Sequence, residues 1–140
     1  QLDFHQGYII DGLLAYLPYS NDQDSIRNCI ARASDYYQNV LFRPDGRGYY
    51  RHPLPYPIDI HNQAQGIITF SKLGRLDRNY LNVANKIALW TVKNMQDRSG
   101  YFYYQKWPVM INKIPHMRWG QAWMMLALAT LWKNFNGELL

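Results

Sequence analysis

Gln121-Ala122-Trp123-Met124-Met125 has two partners in the chain, Gln6-Gly7-Tyr8-Ile9-Ile10 and Gln65-Gly66-Ile67-Ile68, each a Gln followed by Gly or Ala and then an apolar run. The three stand 59 and 56 residues apart. A second element alternates with them, Asp45-Gly46-Arg47-Gly48-Tyr49-Tyr50 and Asp97-Arg98-Ser99-Gly100-Tyr101-Phe102, at a spacing of 52. Two motifs in alternation, with a period near 55, mark a repeat whose unit is a pair of supersecondary elements.

Between these blocks lie one-faced helices. From Gln23 to about Val40, Ile26, Ile30, Ala33, Tyr37 and Val40 recur every three or four residues, and Ser20 with Gln23 has capping-box spacing. From Asp77 to about Gln96, Tyr80, Val83, Ala84, Ile87, Ala88, Thr91 and Met95 do the same, with Asp77 as N-cap. The Gln-containing segments differ in kind. Trp119 to Trp132 holds no charged residue, so the pattern predicts an enclosed helix with Trp123 and Trp132 in the core. Tyr8 to Leu17 carries only Asp11, and Gly66 to Leu73 only Lys72, before a helix stop at Gly74. The expected order is inner, outer, inner, outer, inner. Short turns leave the inner helices, and long connections, with turn dipeptides and alternating aromatics that suggest short strands, lead back to them. If the inner helices run parallel, those connections and the inner-helix N-termini share one rim, and long connections in a compact domain are usually functional.

The 140 residues are 48% hydrophobic, which suits one domain with a real core and excludes a disordered tail. A net charge of +5 favours an acidic partner, and 16% aromatics supply rings for cores or for stacking. A lone Cys29 excludes an intrachain disulfide framework and a multi-Cys zinc site. No apolar run reaches the roughly 18 residues of a membrane span. The chain reads as soluble, with the cytoplasm slightly favoured over the periplasm. Its opening Gln1, set in structured-looking sequence, reads as the start of a piece of something longer. The basic residues are scattered without a Lys/Arg run, so nucleic acid is not an expected partner.

Alternating helices, the Asp-x-x-Gly-Tyr-(Tyr/Phe) loops and the block His116-Met117-Arg118-Trp119-Gly120-Gln121-Ala122-Trp123 resemble the (α/α) toroid proteins of the six-hairpin glycosidase superfamily. More narrowly, Asp3-Phe4-His5-Gln6-Gly7-Tyr8 and the Arg118 block look like bacterial capsule and exopolysaccharide proteins, some of which carry a delta-aminolevulinic acid dehydratase label. The resemblance implies an all-α fold of inner and outer hairpins forming the C-terminal half of a toroid. A missing half or a homodimer would complete it. It also implies a protein that acts on or binds an acidic or neutral polysaccharide, as a glycoside hydrolase, lyase or epimerase, or as a noncatalytic assembly factor; a helical protein-interaction module is the further alternative.

Candidate site residues follow from that rim. Asp59, His61 and His116 are the acid/base candidates, since glycoside hydrolysis uses one protonated and one ionised carboxyl group and imidazole both donates and accepts near neutrality. Asp3 is a further carboxylate candidate beside Asp59; both also suit helix N-caps, and His5, His61 and His116 also suit caps and loop anchors. Asp45 and Asp97 read as turn formers. Arg118 suits a uronate carboxylate, or a salt bridge to Asp59 or Asp3; Arg51 is a weaker candidate of the same kind. His5, Tyr49, Tyr50, Tyr101, Tyr103, Trp107 and Trp119 supply hydrogen bonds and ring faces. Gln6, Gln65 and Gln121 are expected to tie the connections to the rim, with Gln121 the best placed to reach ligand. No metal is expected because no short ligand spacing is present, and no cofactor is expected.

Overall fold

The computed structural model describes residues 4–137. In chain order they form α1 (Phe4–Tyr16), a 3-10 turn (Leu17–Tyr19), α2 (Gln23–Val40), β1 (Ile58–Asp59), α3 (Ile60–Leu73), α4 (Asn79–Met95), β2 (Gln105–Lys106), β3 (Ile111–Asn112), a π-helical turn (Met117–Gln121) and α5 (Ala122–Asn136). The chain is mostly helical, with one small antiparallel sheet in the order β1-β2-β3. No helix among the described residues is long and apolar enough to cross a membrane.

The amphipathic helices fall where their periodicity puts them. α2 buries Ile30, Ser34 and Tyr37, and α4 buries Leu81, Ala84, Ile87, Ala88, Thr91 and Met95. The cap of α2 is Asp22 rather than Ser20: Asp22 Oδ1 accepts the Ser25 N–H at 3.1 Å, while Ser20 Oγ accepts the Asp22 N–H one step earlier. Asp77 Oδ1 accepts the Asn79 N–H at 2.9 Å and so holds the first turn of α4. Lone Cys29 lies exposed on α2.

α3 is the enclosed helix, and α5 is not. Every residue of α3 except Lys72 is buried, including His61, Asn62, Gln63, Gln65, Thr69 and Ser71. α1 and α5 flank it, and α4 packs behind it. α5 lies at the edge, with Met125 77% and Trp132 68% exposed, so Trp132 is a surface residue and Trp123 only half-buried. A charge-free helix needs an apolar environment, but the periodicity does not say whether the chain itself supplies it. One continuous core nevertheless links all five helices, through Ile10, Ile30, Ile67, Ile87 and Met124 among others.

The repeat is real, in a different register from the one expected. After α2 and after α4 the chain makes the same turn. Tyr49 N–H bonds Leu41 O and Tyr103 N–H bonds Met95 O, while Gly46 N–H bonds Arg43 O and Gly100 N–H bonds Asp97 O. Gly46 (φ 93°) and Gly100 (φ 100°) both occupy the left-handed region that favours glycine. Corresponding residues are therefore 54 apart rather than 52, which pairs Asp45 with Ser99 and not with Asp97. Both acids still form turns, Asp45 Oδ1 on the Arg47 N–H and Asp97 Oδ1 on the Ser99 N–H.

The Gln-bearing helices are shifted likewise. Gln63 Oε1 accepts the Gly48 N–H at 2.7 Å and its Nε2 donates to Gly46 O at 3.0 Å. Gln121 Oε1 accepts the Phe102 N–H and its Nε2 donates to Phe102 O, both at 2.8 Å. Gly48 and Phe102 are equivalent in the two turns, so Gln63-Ala64, not Gln65-Gly66, is the counterpart of Gln121-Ala122, and the Gln-(Gly/Ala) motif extends that register to Gln6-Gly7 in the sequence. Gln65 instead reaches Asp11 and Thr69 between α3 and α1. α3 correspondingly starts at Ile60, six residues before the expected Gly66, and α1 at Phe4. Asp3 lies outside the described residues.

Candidate functional site

The N-terminal turns of α1, α3 and α5 converge on His61. In the corrected register Phe4, His61 and Trp119 occupy one repeat position, and their rings meet. Trp119 stacks on the His61 imidazole at 4.1 Å between centroids and 16°, and Phe4 meets it edge-on at 4.7 Å. One helical turn further on, Trp123 closes against His61 at 4.6 Å, and the Tyr8 hydroxyl lies on His61 Nε2. His61 is fully buried in this aromatic box, while Tyr8 is 37% and Trp119 41% exposed.

The box decides the state of the imidazole. Burial pulls the His61 pKa down to about 4, with only partial opposition from the Trp119 backbone and a further small lowering by His5. At neutral pH the ring is therefore uncharged. Burial, followed by the Asp11 charge, pushes Tyr8 up, so Tyr8 keeps its proton at neutral pH and shares a hydrogen bond with His61 Nε2. The other ring nitrogen, Nδ1, is buried without a well-formed hydrogen bond.

Asp59 stands directly before this turn. Its Oδ1 accepts the N–H groups of His61 at 2.9 Å and Asn62 at 3.4 Å, and its Oδ2 accepts Gln105 Nε2 at 2.7 Å. Only 1% of the residue is exposed. Burial pushes its pKa up, against the lowering by Gln105 and the two amides. It caps α3 and at the same time joins the two long connections: β1 pairs with β2 through Ile58 with Lys106 and Asp59 with Gln105, and Ile60 N–H bonds Tyr104 O at 3.0 Å.

The other candidates spread along the same rim. His5 is half-buried, stacked on Phe4 at 4.5 Å and edge-on to Tyr8 at 6.1 Å. His116 is exposed and meets Tyr104 at 4.7 Å, outside the box. Arg118 is exposed and forms no ion pair among the described residues, so a bridge to Asp59 is not made. Arg51 is exposed as well. Tyr49 is half-buried against His52, and Tyr101 half-buried against Tyr103, whose hydroxyl donates to Asp97 Oδ2 at 2.9 Å. Tyr50 is half-buried. Trp107 is half-buried at the β2–β3 turn, where its N–H bonds Met110 O. Gln121 is committed to Phe102, which leaves it a loop anchor.

At the far end of α1, α3 and α5, a hollow of about 430 Å³ is lined by Asp11, Lys72, Arg75 and Lys133 among others. Lys72 Nζ pairs with Asp11 Oδ2 at 2.6 Å. Its cations complement the C-terminal ends of α3 and α5, which accounts for them structurally. Among the described residues, no three His, Cys, Asp or Glu side chains gather as metal donors.

The residues missed from sequence were Phe4, Tyr8, Trp123, Gln63 and Gln105. A usable signal existed for three of them: an aromatic pair spaced by four, Phe4 with Tyr8 and Trp119 with Trp123, opens both flanking helices. Comparison with protein-family models, with curated proteins and with solved structures finds no match.

Proposed function

We propose that the chain is part of an (α/α) toroid of the six-hairpin kind its sequence resembles, and that it binds an acidic polysaccharide on the rim around Trp119. The carrying observation is the exposed Trp119 ring, braced from behind by the buried neutral His61, with exposed Arg118 and His116 adjoining it in the chain. A braced ring gives a sugar a flat apolar face at little entropic cost, and a guanidinium without an ion-pair partner among the described residues suits a uronate carboxylate. Binding is favoured over hydrolysis because Asp59 is buried and both its oxygens already accept protein donors. Capsule or exopolysaccharide metabolism is the setting this reading fits.

Isothermal titration with a uronate-containing oligosaccharide, and with a neutral one of equal length, tests the reading. Trp119→Ala should abolish most binding to both. Arg118→Ala should weaken the acidic ligand by about fivefold and leave the neutral one unchanged, and salt should mimic that loss. Equal affinity of wild type and Trp119→Ala would remove the rim from binding.

A catalytic reading, as lyase, hydrolase or epimerase, draws on one observation: the hydroxyl of Tyr8, a residue 37% exposed, is hydrogen-bonded to the buried His61 Nε2, a pair between which a proton can pass. Release of unsaturated sugars or reducing ends, lost in Tyr8→Phe, would support it over binding alone.

A further inference from the structure

α2 packs on α1 and α4 on α3. Between the last turn of α2, the glycine turn that follows it and the first half of α4 lies a hollow of about 320 Å³. Its lining joins buried Phe42 and Ile87 to the cations Arg43 and Lys86 and the amides Asn39 and Asn82. Arg43 is half-buried and the other three polar residues are exposed, so the apolar pair makes the floor and the polar groups make the mouth. The volume falls at the small end of the about 300–1,000 Å³ that ligand pockets span.

The cations at the mouth have no structural employment. Arg43 and Lys86 form no ion pair among the described residues, and no acid lines the hollow. Asp45, the acid of the turn, is held by Arg47, whose Nε and Nη2 donate to its Oδ2 at 2.9 and 2.5 Å. Asp35 accepts Asn39 Nδ2 at 2.7 Å, which leaves Asn39 Oδ1 as an acceptor. Nor does the turn itself require an arginine. The same turn after α4 has Asp97 at this place, and Asp97 adds a side-chain bond to the Ser99 N–H where Arg43 contributes backbone bonds. The walls are nonetheless fixed. Gly46 lies so close on α4 that a Cβ would stand 2.9 Å from Lys86 O, Gln63 holds Gly46 O at 3.0 Å, and the Phe42 ring is locked against Tyr37 and Phe70. A ligand would therefore meet a mouth whose backbone is already ordered, which lowers the entropic cost of binding.

We propose that this hollow binds a single uronic acid residue. Arg43 and Lys86 meet the carboxylate, Asn39 and Asn82 supply the mixed donors and acceptors that ring hydroxyls need, and Phe42 and Ile87 take the C–H face of the ring. The choice of a sugar acid rests on the acidic polysaccharide proposed above, but the hollow shares no residue with the Trp119 rim, so either site can fail without the other.

Two-dimensional NMR of isotope-labelled protein, titrated with glucuronate at low salt, tests the assignment. Saturable shifts are expected in the backbone amides of residues 38–46 and 82–87 and in the side-chain amides of Asn39 and Asn82. Arg43→Ala removes a cation and Asn82→Asp sets a carboxylate at the mouth; each should weaken glucuronate at least about fivefold. Both changes fall on residues that are exposed or half-buried, and unchanged circular dichroism checks that the fold is kept. Glucose and acetate should each bind at least about tenfold more weakly than glucuronate, since one lacks the charge and the other the ring. Trp119→Ala should leave the shifts at the hollow unaltered, even where it abolishes binding at the rim. Absence of shifts at these residues up to about 50 mM glucuronate would overturn the proposal. So would an equal response to acetate or glucose, an affinity indifferent to both Arg43→Ala and Asn82→Asp, or loss of these shifts in Trp119→Ala.

Discussion

Replacing Gln63 with Ala should be among the costliest single truncations in the chain, although Gln63 is polar and lies far from any charge partner. Its amide serves three groups at once: the Gly48 N–H at 2.7 Å, Gly46 O at 3.0 Å and Thr91 Oγ1 at 3.0 Å. Thr91 keeps its own bond to Ile87 O, so it loses least. The two backbone groups belong to buried glycines, and each left without a partner costs about 1–3 kcal/mol. The sum is about 2–6 kcal/mol, a large share of a domain's usual margin. Gln121→Ala breaks the equivalent pair of bonds to Phe102, but these are only partly buried, so water replaces the amide and the loss should be about 1–2 kcal/mol. Urea unfolding with an unchanged slope measures both. Hydrogen exchange at Gly48 adds a local readout: protection should vanish in Gln63→Ala and persist in Gln65→Ala. Equal costs for Gln63→Ala and Gln121→Ala, or Gly48 protection that depends on Gln65, would refute both the corrected register and the burial argument.

Gly66→Ala should destabilise by about 1–3 kcal/mol, because the new methyl collides with the Phe42 ring, whereas Gly12→Ala should stabilise by about 0.5–1 kcal/mol; thermal melts check both. His61, with a folded pKa near 4 against 6.5 unfolded, is protonated more readily when unfolded. Its contribution should be complete above pH 6.5 and fall away as the pH drops toward 4, by at most about 3 kcal/mol. Asp59, whose folded pKa is raised, pulls the other way as the pH falls through that raised value, so the difference between wild type and His61→Phe isolates the histidine. Asp59→Ala should cost about 2–4 kcal/mol by removing the α3 cap and the Gln105 bond, and Asp59→Asn should recover part of it, because an Asn oxygen still caps; chemical denaturation reads both.

What the sequence made legible was set by the kind of burial each helix has. α2 and α4 are half-buried, and a one-sided pattern at helical spacing locates them nearly to the residue. α1 and α5 are apolar all round, and an open edge produces that composition as readily as a closed core does. α3 is enclosed yet rich in amides and hydroxyls, because most of these groups meet loop backbone or neighbouring side chains that only the folded chain brings close. The register slipped by two at Gln63-Ala64-Gln65-Gly66, where the motif fits twice and the deciding partners, Gly46 and Gly48, lie 15 or more residues away in the sequence. At the candidate site the histidines drew attention through their spacing, but the repeat position that converges is Phe4, His61 and Trp119, one imidazole and two hydrocarbon-rich rings.

The β1–β2 pairing makes the two long connections a single mechanical part. Asp59 and Gln105 clasp beneath it, and Ile60 is hydrogen-bonded to Tyr104 beside it. A displacement of the Trp107 turn is therefore carried through two strands into the first turn of α3, and from there to the imidazole behind Trp119. The rim should therefore respond as one cooperative unit, with exchange rates in residues 41–59 and 96–112 rising and falling together.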